Sequence, residues 1–344
     1  MDGKGYVAPA MPCDLPTGVK HRDKQPMCHQ PFSAFVARKV PRSEILRTPD
    51  AIAAVDAEWN KLRFAPWPDD SGKGVWDERK VCEASDLRRW AKSQHKTIHI
   101  GTIAEMCYQK GSELPDGNPN RKFKGRDVLL GDQLKDQSNQ AAIYEELGSA
   151  PPTQEASRSC DALASLPGYE LTASDANSAY CQAWLGGTET YVRLPRHRWP
   201  KEWEGKFTDP VCPLILALYG HGDSGGYWEE QCEKHVLACG FNRVGGWRST
   251  YWHPVEKALL VIYVDDFKLA CPMNATKRIW SKLREKIKMD EPSYPERFLG
   301  CHQTAFAGTA RDVYHILESN PDLRPRNSDK STPCTVESST PIRG

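Results

Sequence analysis

The chain has 344 residues, with 46 Lys and Arg against 45 Asp and Glu and a formal net charge of +1, which excludes a uniformly basic, histone-like grip on nucleic acid and leaves local patches. A hydrophobic share of 39% and a charged share of 26% describe a somewhat polar globular chain, with room for one large domain or two small ones. The longest apolar run, Ala258 to Val264, is far short of the roughly 18 residues a bilayer span needs, and no apolar segment near Met1 marks a secretory signal.

In chain order, residues 1–42 read as a loose leader rich in Pro, Gly and Lys. Ser43 is a candidate helix cap, Pro49-Asp50 interrupts, and Ile52, Val55, Trp59 and Leu62 then recur at helical spacing up to Arg63. Thr97 to Ile103 suits a strand, and the stretch 111–120 is a loop followed by the basic run Arg121 to Arg126. Val128 to Leu130 reads as a short buried strand, 139–147 and 153–165 as weak helices, and Tyr191 to Leu194 as a strand. Helical spacing returns over 226–239 and closes at Gly240. The clearest signal is 257–270, two apolar strands joined by a turn at Asp265-Asp266. Lys277 to Lys288 is a basic amphipathic helix, and residues 303–344 read as a disordered tail. Mixed helices and short strands predict an α+β fold. The twelve cysteines include no C-x-x-C pair, so free thiols in a reducing compartment are expected and a zinc site is not.

Tyr263-Val264-Asp265-Asp266 is the sharpest candidate site. Two adjacent carboxylates between apolar strands are costly unless the turn is exposed or a cation meets them. Magnesium, which takes carboxylate oxygens together with substrate phosphates, is such a cation. Asp175, closing the apparent strand Leu171 to Ser174, is a third acid. Two-metal phosphoryl transfer requires carboxylates from separate strands, which Asp175 and the hairpin supply if their strands are neighbours. Taken alone, Asp175 also reads as a helix N-cap, Tyr180 as a core ring, and Lys124 with Arg126 as a solvated loop.

Set in order along the chain, these motifs resemble the reverse transcriptase of copia-type retrotransposons. They are Phe123-Lys124-Gly125-Arg126-Asp127-Val128, then Asp175-x-x-x-Ala179-Tyr180 with Tyr191-Val192-Arg193-Leu194-Pro195, then Ala217 to Trp228 around Tyr219-Gly220, then Gly240-Phe241, the acidic box, and Phe298-Leu299-Gly300. The resemblance spans 43–302 and implies the fingers and palm of a right-handed polymerase, an RNA-directed DNA polymerase belonging to a Pol polyprotein. It implies Asp175, Asp265 and Asp266 as catalytic ligands of two Mg²⁺ ions, with Mn²⁺ as a substitute and the Ala176 carbonyl as a further ligand. Lys124, Arg126, Ala176, Tyr180, Tyr219 and Gly220 are implied at the deoxynucleotide site, with Tyr180 excluding a 2′-hydroxyl. The implied partners are an RNA or DNA template, a nucleic-acid primer and dNTPs, with no membrane. The implied compartment is the cytoplasm, with the nucleus as the second.

Some residues depart from the family pattern. Asp127 sets a negative charge beside the expected phosphate site, Gly225-Gly226 replace Pro-Arg, and Lys268 puts a charge into the strand after the box. About 40 residues follow Gly300, too few for a full thumb or a ribonuclease H domain. The alternative expectation is therefore a catalytically inactive fragment that at most binds nucleic acid.

Overall fold

The computed structural model describes residues 37–144 and 151–304. The expected leader up to 36, the end of the weak helix at 139–147 and the tail beyond 304 lie outside the described residues; the last residues of that leader form a strand at 38–40, and 139–144 contain no helix. In chain order the elements are β1 (Arg38–Val40), α1 (Arg42–Ile45), α2 (Pro49–Arg63), β2 (Cys82–Glu83), α3 (Ala84–Ser93), β3 (His99–Lys110), β4 (Lys122–Leu129) and β5 (Lys135–Asp136). There follow α4 (Gln154–Ala164), β6 (Tyr169–Asp175), β7 (Thr190–Arg193), β8 (Pro210–Pro213), α5 (Ser224–Ala238), β9 (Asn242–Arg243) and β10 (Thr250–His253). The last are β11 (Ala258–Tyr263), β12 (Asp266–Pro272), α6 (Met273–Arg284), β13 (Arg297–Phe298) and β14 (Cys301–His302). The α+β class is as expected. The chain forms two compact units, each discontinuous in sequence: the first holds the described residues up to 144 together with 185–222, and the second holds 151–184 together with 223–304.

The first unit is a sheet ordered β1-β3-β7-β8-β2, with β4 and β5 also paired to β3. Only β3 and β7 run parallel among these pairs. Pro49 does not interrupt its helix but opens it, since a proline in the first turn has no hydrogen bond to lose. Helix α2 buries Ala51, Val55, Trp59 and Leu62, while Ile52, expected on that face, is exposed. The helix lies against β4, and the approach is close at Gly125. A Cβ there would stand 2.4 Å from the Ala54 carbonyl oxygen. Gly125→Ala is expected to destabilise the chain by about 1–3 kcal/mol through that backbone clash, read as a lowered thermal midpoint.

The basic run is not a loop. It belongs to β4, which pairs with β3 from Lys122↔Lys110 to Leu129↔Ile103. Charged residues predominate on the outward positions of this strand, which hides its period from a hydrophobicity scan. Gly125, Asp127 and Leu129 are the buried set; Lys124 is exposed and Arg126 half-buried on the other face.

The second unit is an antiparallel sheet, β6-β12-β11-β10-β9, with β13 and β14 as a separate two-stranded ladder. Its central strands are nearly continuous apolar runs because both faces are covered. On one face Ala156 and Cys160 of α4 pack against Leu259, Val261 and Ala270. On the other, the Trp280 indole of α6 donates to the Thr172 hydroxyl at 2.9 Å. Lys268 lies on the α4 face and is fully buried. Its ammonium meets Asp161 Oδ1 at 2.5 Å, donates to Ser157 Oγ at 3.1 Å, and sits over the Phe298 ring at 5.2 Å. The charge that looks foreign to an apolar strand is a pin between β12 and α4.

Candidate functional site

The acidic hairpin is built by β11 and β12, which leave two residues, Val264 and Asp265, between the paired Tyr263 and Asp266. So short a connection requires left-handed backbone, and the residue that supplies it is Val264, at φ 55°. A β-branched residue there is strained by about 1–3 kcal/mol. The tip is held by the Trp228 indole of α5, which donates to the Val264 carbonyl at 2.7 Å.

Strand β6 is the other neighbour of β12, and the register places Asp175 directly opposite Asp266. Asp175 and Asp266 therefore share one face of the sheet. The Ala176 amide donates to the Asp265 carbonyl oxygen at 2.7 Å, tying the end of β6 to the turn. A further segment closes this edge: the Asp290 amide donates to the Asp175 carbonyl at 3.0 Å and Ser174 Oγ to the Asp290 carbonyl at 2.7 Å. Asp175 and Asp265 are exposed, and Asp266 is half-buried. Burial, then the charges of Asp265 and Asp175 and a hydrogen bond to the Asp175 carboxylate, push the Asp266 carboxyl up to about 7. The pair thus holds a proton that a divalent cation would replace, and hard carboxylate oxygens suit magnesium. Asp265 stands at the exposed turn, outside that pair; among the described residues no group of three or more His, Cys, Asp or Glu side chains is arranged to hold a metal ion.

Tyr180 follows in the 3-10 turn Ala179–Gln182, which packs on α5. It is half-buried, and its phenol is raised by burial, then by Asp265 and Tyr263. The second unit thus brings together five expected residues, Asp175, Ala176, Tyr180, Asp265 and Asp266.

The other four lie in the first unit. Lys124 and Arg126 are two apart on the outward face of β4, where burial and then Arg126 lower the Lys124 ammonium. The Arg126 guanidinium lies over the Tyr219 ring, 5.6 Å from its centre. The Leu129 amide donates to the Tyr219 carbonyl at 2.8 Å. Gly220, at φ 93°, has no room for a side chain, since a Cβ would fall 1.9 Å from the Leu129 carbonyl oxygen. Lys124, Arg126, Tyr219 and Gly220 form one local cluster of two cations, a ring and a tight turn.

Asp127 is not beside Lys124 and Arg126 in space. It points to the opposite face of β4, is 1% exposed, and its two carboxyl oxygens have no hydrogen-bond partner. The expected negative charge at a phosphate site is therefore a misreading of strand period. On α6, Arg278 pairs with Glu256 and Arg284 with Glu291. Lys277 and Lys282 are exposed, with no ion pair among the described residues. Sequence reading missed Trp228 as the holder of the hairpin tip and Asp290 as the closing backbone. The Trp was visible within a motif, but nothing in its spacing announces a bond to a carbonyl 36 residues later.

No family model matches the chain, and no curated protein does. Among solved structures, the chain is similar to telomerase from Candida albicans, in a complex with the TWJ fragment of telomeric RNA, at 11% identity and a TM-score of 0.30. The match covers 59% of this chain and 42% of that one, so this chain spans less than half the telomerase chain. A likeness at that level carries no argument about fold or activity here. Among the described residues no helix is long and apolar enough to cross a membrane.

Proposed function

We propose that the chain is the fingers and palm of a copia-type reverse transcriptase, an RNA-directed DNA polymerase domain that extends a primer with deoxynucleotides. The observation that carries this reading is the register of β6 against β12. Two acids about ninety positions apart in sequence face each other beside a strained acidic hairpin, the juxtaposition that two-metal nucleotidyl transfer requires.

In this reading Asp175, Asp266 and Asp265, with the Ala176 carbonyl, would hold two Mg²⁺ ions. When bound, magnesium would lower the pKa of the primer 3′-hydroxyl and steady the departing pyrophosphate. The residues themselves do the rest. Asp266 releases its proton as the site fills, which makes loading of the site weaker at acid pH. The Tyr180 ring excludes a 2′-hydroxyl, and Lys124 and Arg126 take the triphosphate, Arg in bidentate fashion. Gly220 lets the Tyr219 turn approach β4, so a side chain at 220 disrupts the Arg126–Tyr219 stack.

The test is primer extension on poly-rA with oligo-dT, dTTP and Mg²⁺, beside an Asp265→Asn, Asp266→Asn double variant. The parent is expected to incorporate dTTP, with Mn²⁺ as an accepted substitute, and the variant to lose at least about 10²-fold. Equal incorporation by both would sink the reading. A second reading, an inactive chain that at most binds nucleic acid, is favoured by the position of Asp265 at the exposed turn. A folded parent that retains template–primer but never extends it would establish that one instead.

A further inference from the structure

Beside the acidic hairpin, the second unit holds a cleft of about 300 Å³, at the lower end of the range for small-ligand sites. Four rings line it, Tyr180, Trp228, Tyr251 and Tyr263, and Glu229 is its carboxylate. The only partner of that carboxylate among the described residues is the Ser249 hydroxyl, which donates at 3.3 Å. Gly225, in the first turn of α5, adds backbone but no side chain to the lining.

Three groups of the walls are held neutral, first of all by burial. The Tyr180 phenol is raised by burial and then by Asp265. The Tyr251 phenol is raised by burial and then by Glu233, with Cys232 and Glu229 adding to it. The Cys232 thiol is raised by burial, then by Glu229 and Glu233. Glu229 is the charged side chain of this otherwise apolar lining, and a cation is the charge that matches it. Aromatic faces attract cations most strongly where water is excluded, and flat rings stack among them at offset angles.

We infer that this cleft binds an aromatic amine, its ring among Tyr180, Trp228, Tyr251 and Tyr263 and its ammonium at the Glu229 carboxylate. Val264 and Tyr263 are part of the same lining, and Trp228 holds the Val264 carbonyl. A molecule seated there braces the acidic hairpin, so occupancy of the cleft and freedom of the hairpin tip are linked. The cleft shares Tyr180 with the polymerase reading, but the inference goes beyond that reading and is tested apart from it, because amine binding needs neither nucleic acid nor nucleotide.

Tryptamine is the probe, titrated into the full chain without metal or nucleotide and followed by saturation-transfer NMR and thermal melting. Tryptophol, which carries the same indole and a neutral hydroxyl, is the comparator. Tryptamine is expected to bind roughly tenfold more tightly, and Glu229→Gln to reduce it to the tryptophol level. Gly225→Leu fills the mouth and is expected to weaken both. No tryptamine binding by folded parent, equal binding of the two probes, or a preference unchanged in Glu229→Gln overturns the inference. Where Glu229→Gln fails to melt cooperatively, Gly225→Leu decides, and undiminished binding there overturns it as well.

Discussion

Asp127→Asn is expected to raise the stability of the chain at pH 7.5 by about 3 kcal/mol, with little change near pH 4. The Asp127 carboxyl is pushed up to about 8, first by burial and then by Glu105 and Glu58, against a weaker opposing pull from Arg198. Glu105 is its direct partner across the β3–β4 ladder, and Arg198 is already engaged by Asp56 and Glu105. The unfolded chain releases this proton near pH 4, whereas the folded chain keeps it until about pH 8. Between those values the folded state binds the extra proton, so its stability falls as pH rises. The contribution is complete below the unfolded pKa and lost as pH rises through the folded one. Asparagine has the shape without the titration, so its advantage grows with pH. For a chain of this size the gain corresponds to a thermal midpoint about 6–12 °C higher at pH 7.5. Melting curves of parent and variant from pH 4.5 to 8.5 decide the matter; a constant offset across that range would refute the buried proton.

Lys268→Ala is expected to cost about 2–4 kcal/mol, because it removes a fully buried cation and opens a cavity beside Ser157 and the partly exposed Asp161. The stronger statement concerns the pair. Buried ion pairs often contribute little beyond well-packed apolar residues of the same volume, whereas half of one is destabilising. Lys268→Met with Asp161→Leu is therefore expected to recover most of the loss. Denaturant titrations of the two single variants and the double give the coupling energy directly. A cost below about 1 kcal/mol for Lys268→Ala, or no recovery in the double variant, would show that the pin between β12 and α4 is not holding the sheet.

How much of this was legible in the sequence depends on which residues carry each element. The hairpin over 257–270 was readable because an unbroken apolar run on each side of Asp265-Asp266 leaves one arrangement. Its strands are β11 and β12. The end of β6 at Asp175 was readable, but its register against β12 was not, because pairing between distant strands leaves no local trace. Strand β4 was hidden by Lys122, Lys124 and Arg126 on its outer face. That same error turned Asp127 from a buried acid into a surface charge. Strand β8 begins and ends in proline, a composition that argues against a strand unless it is short. Lys268 looked misplaced because its partners, Ser157 and Asp161, belong to a helix more than a hundred residues earlier.

The interleaving of the two units has a bearing on how this chain comes to be folded. Strand β3 pairs with β7, and β6 acquires its strand partner among the described residues when β12 has been made. During synthesis, at about 5–20 residues per second, β6 therefore waits several seconds with its edge bare. Contacts so distant in sequence also slow closure of the sheet. No single cut separates the two units, since each fragment that keeps one whole also carries a piece of the other, so shortened versions from one end are expected to yield insoluble protein before they yield a smaller domain. A co-expressed complement that supplies the missing strand is the remedy the topology suggests.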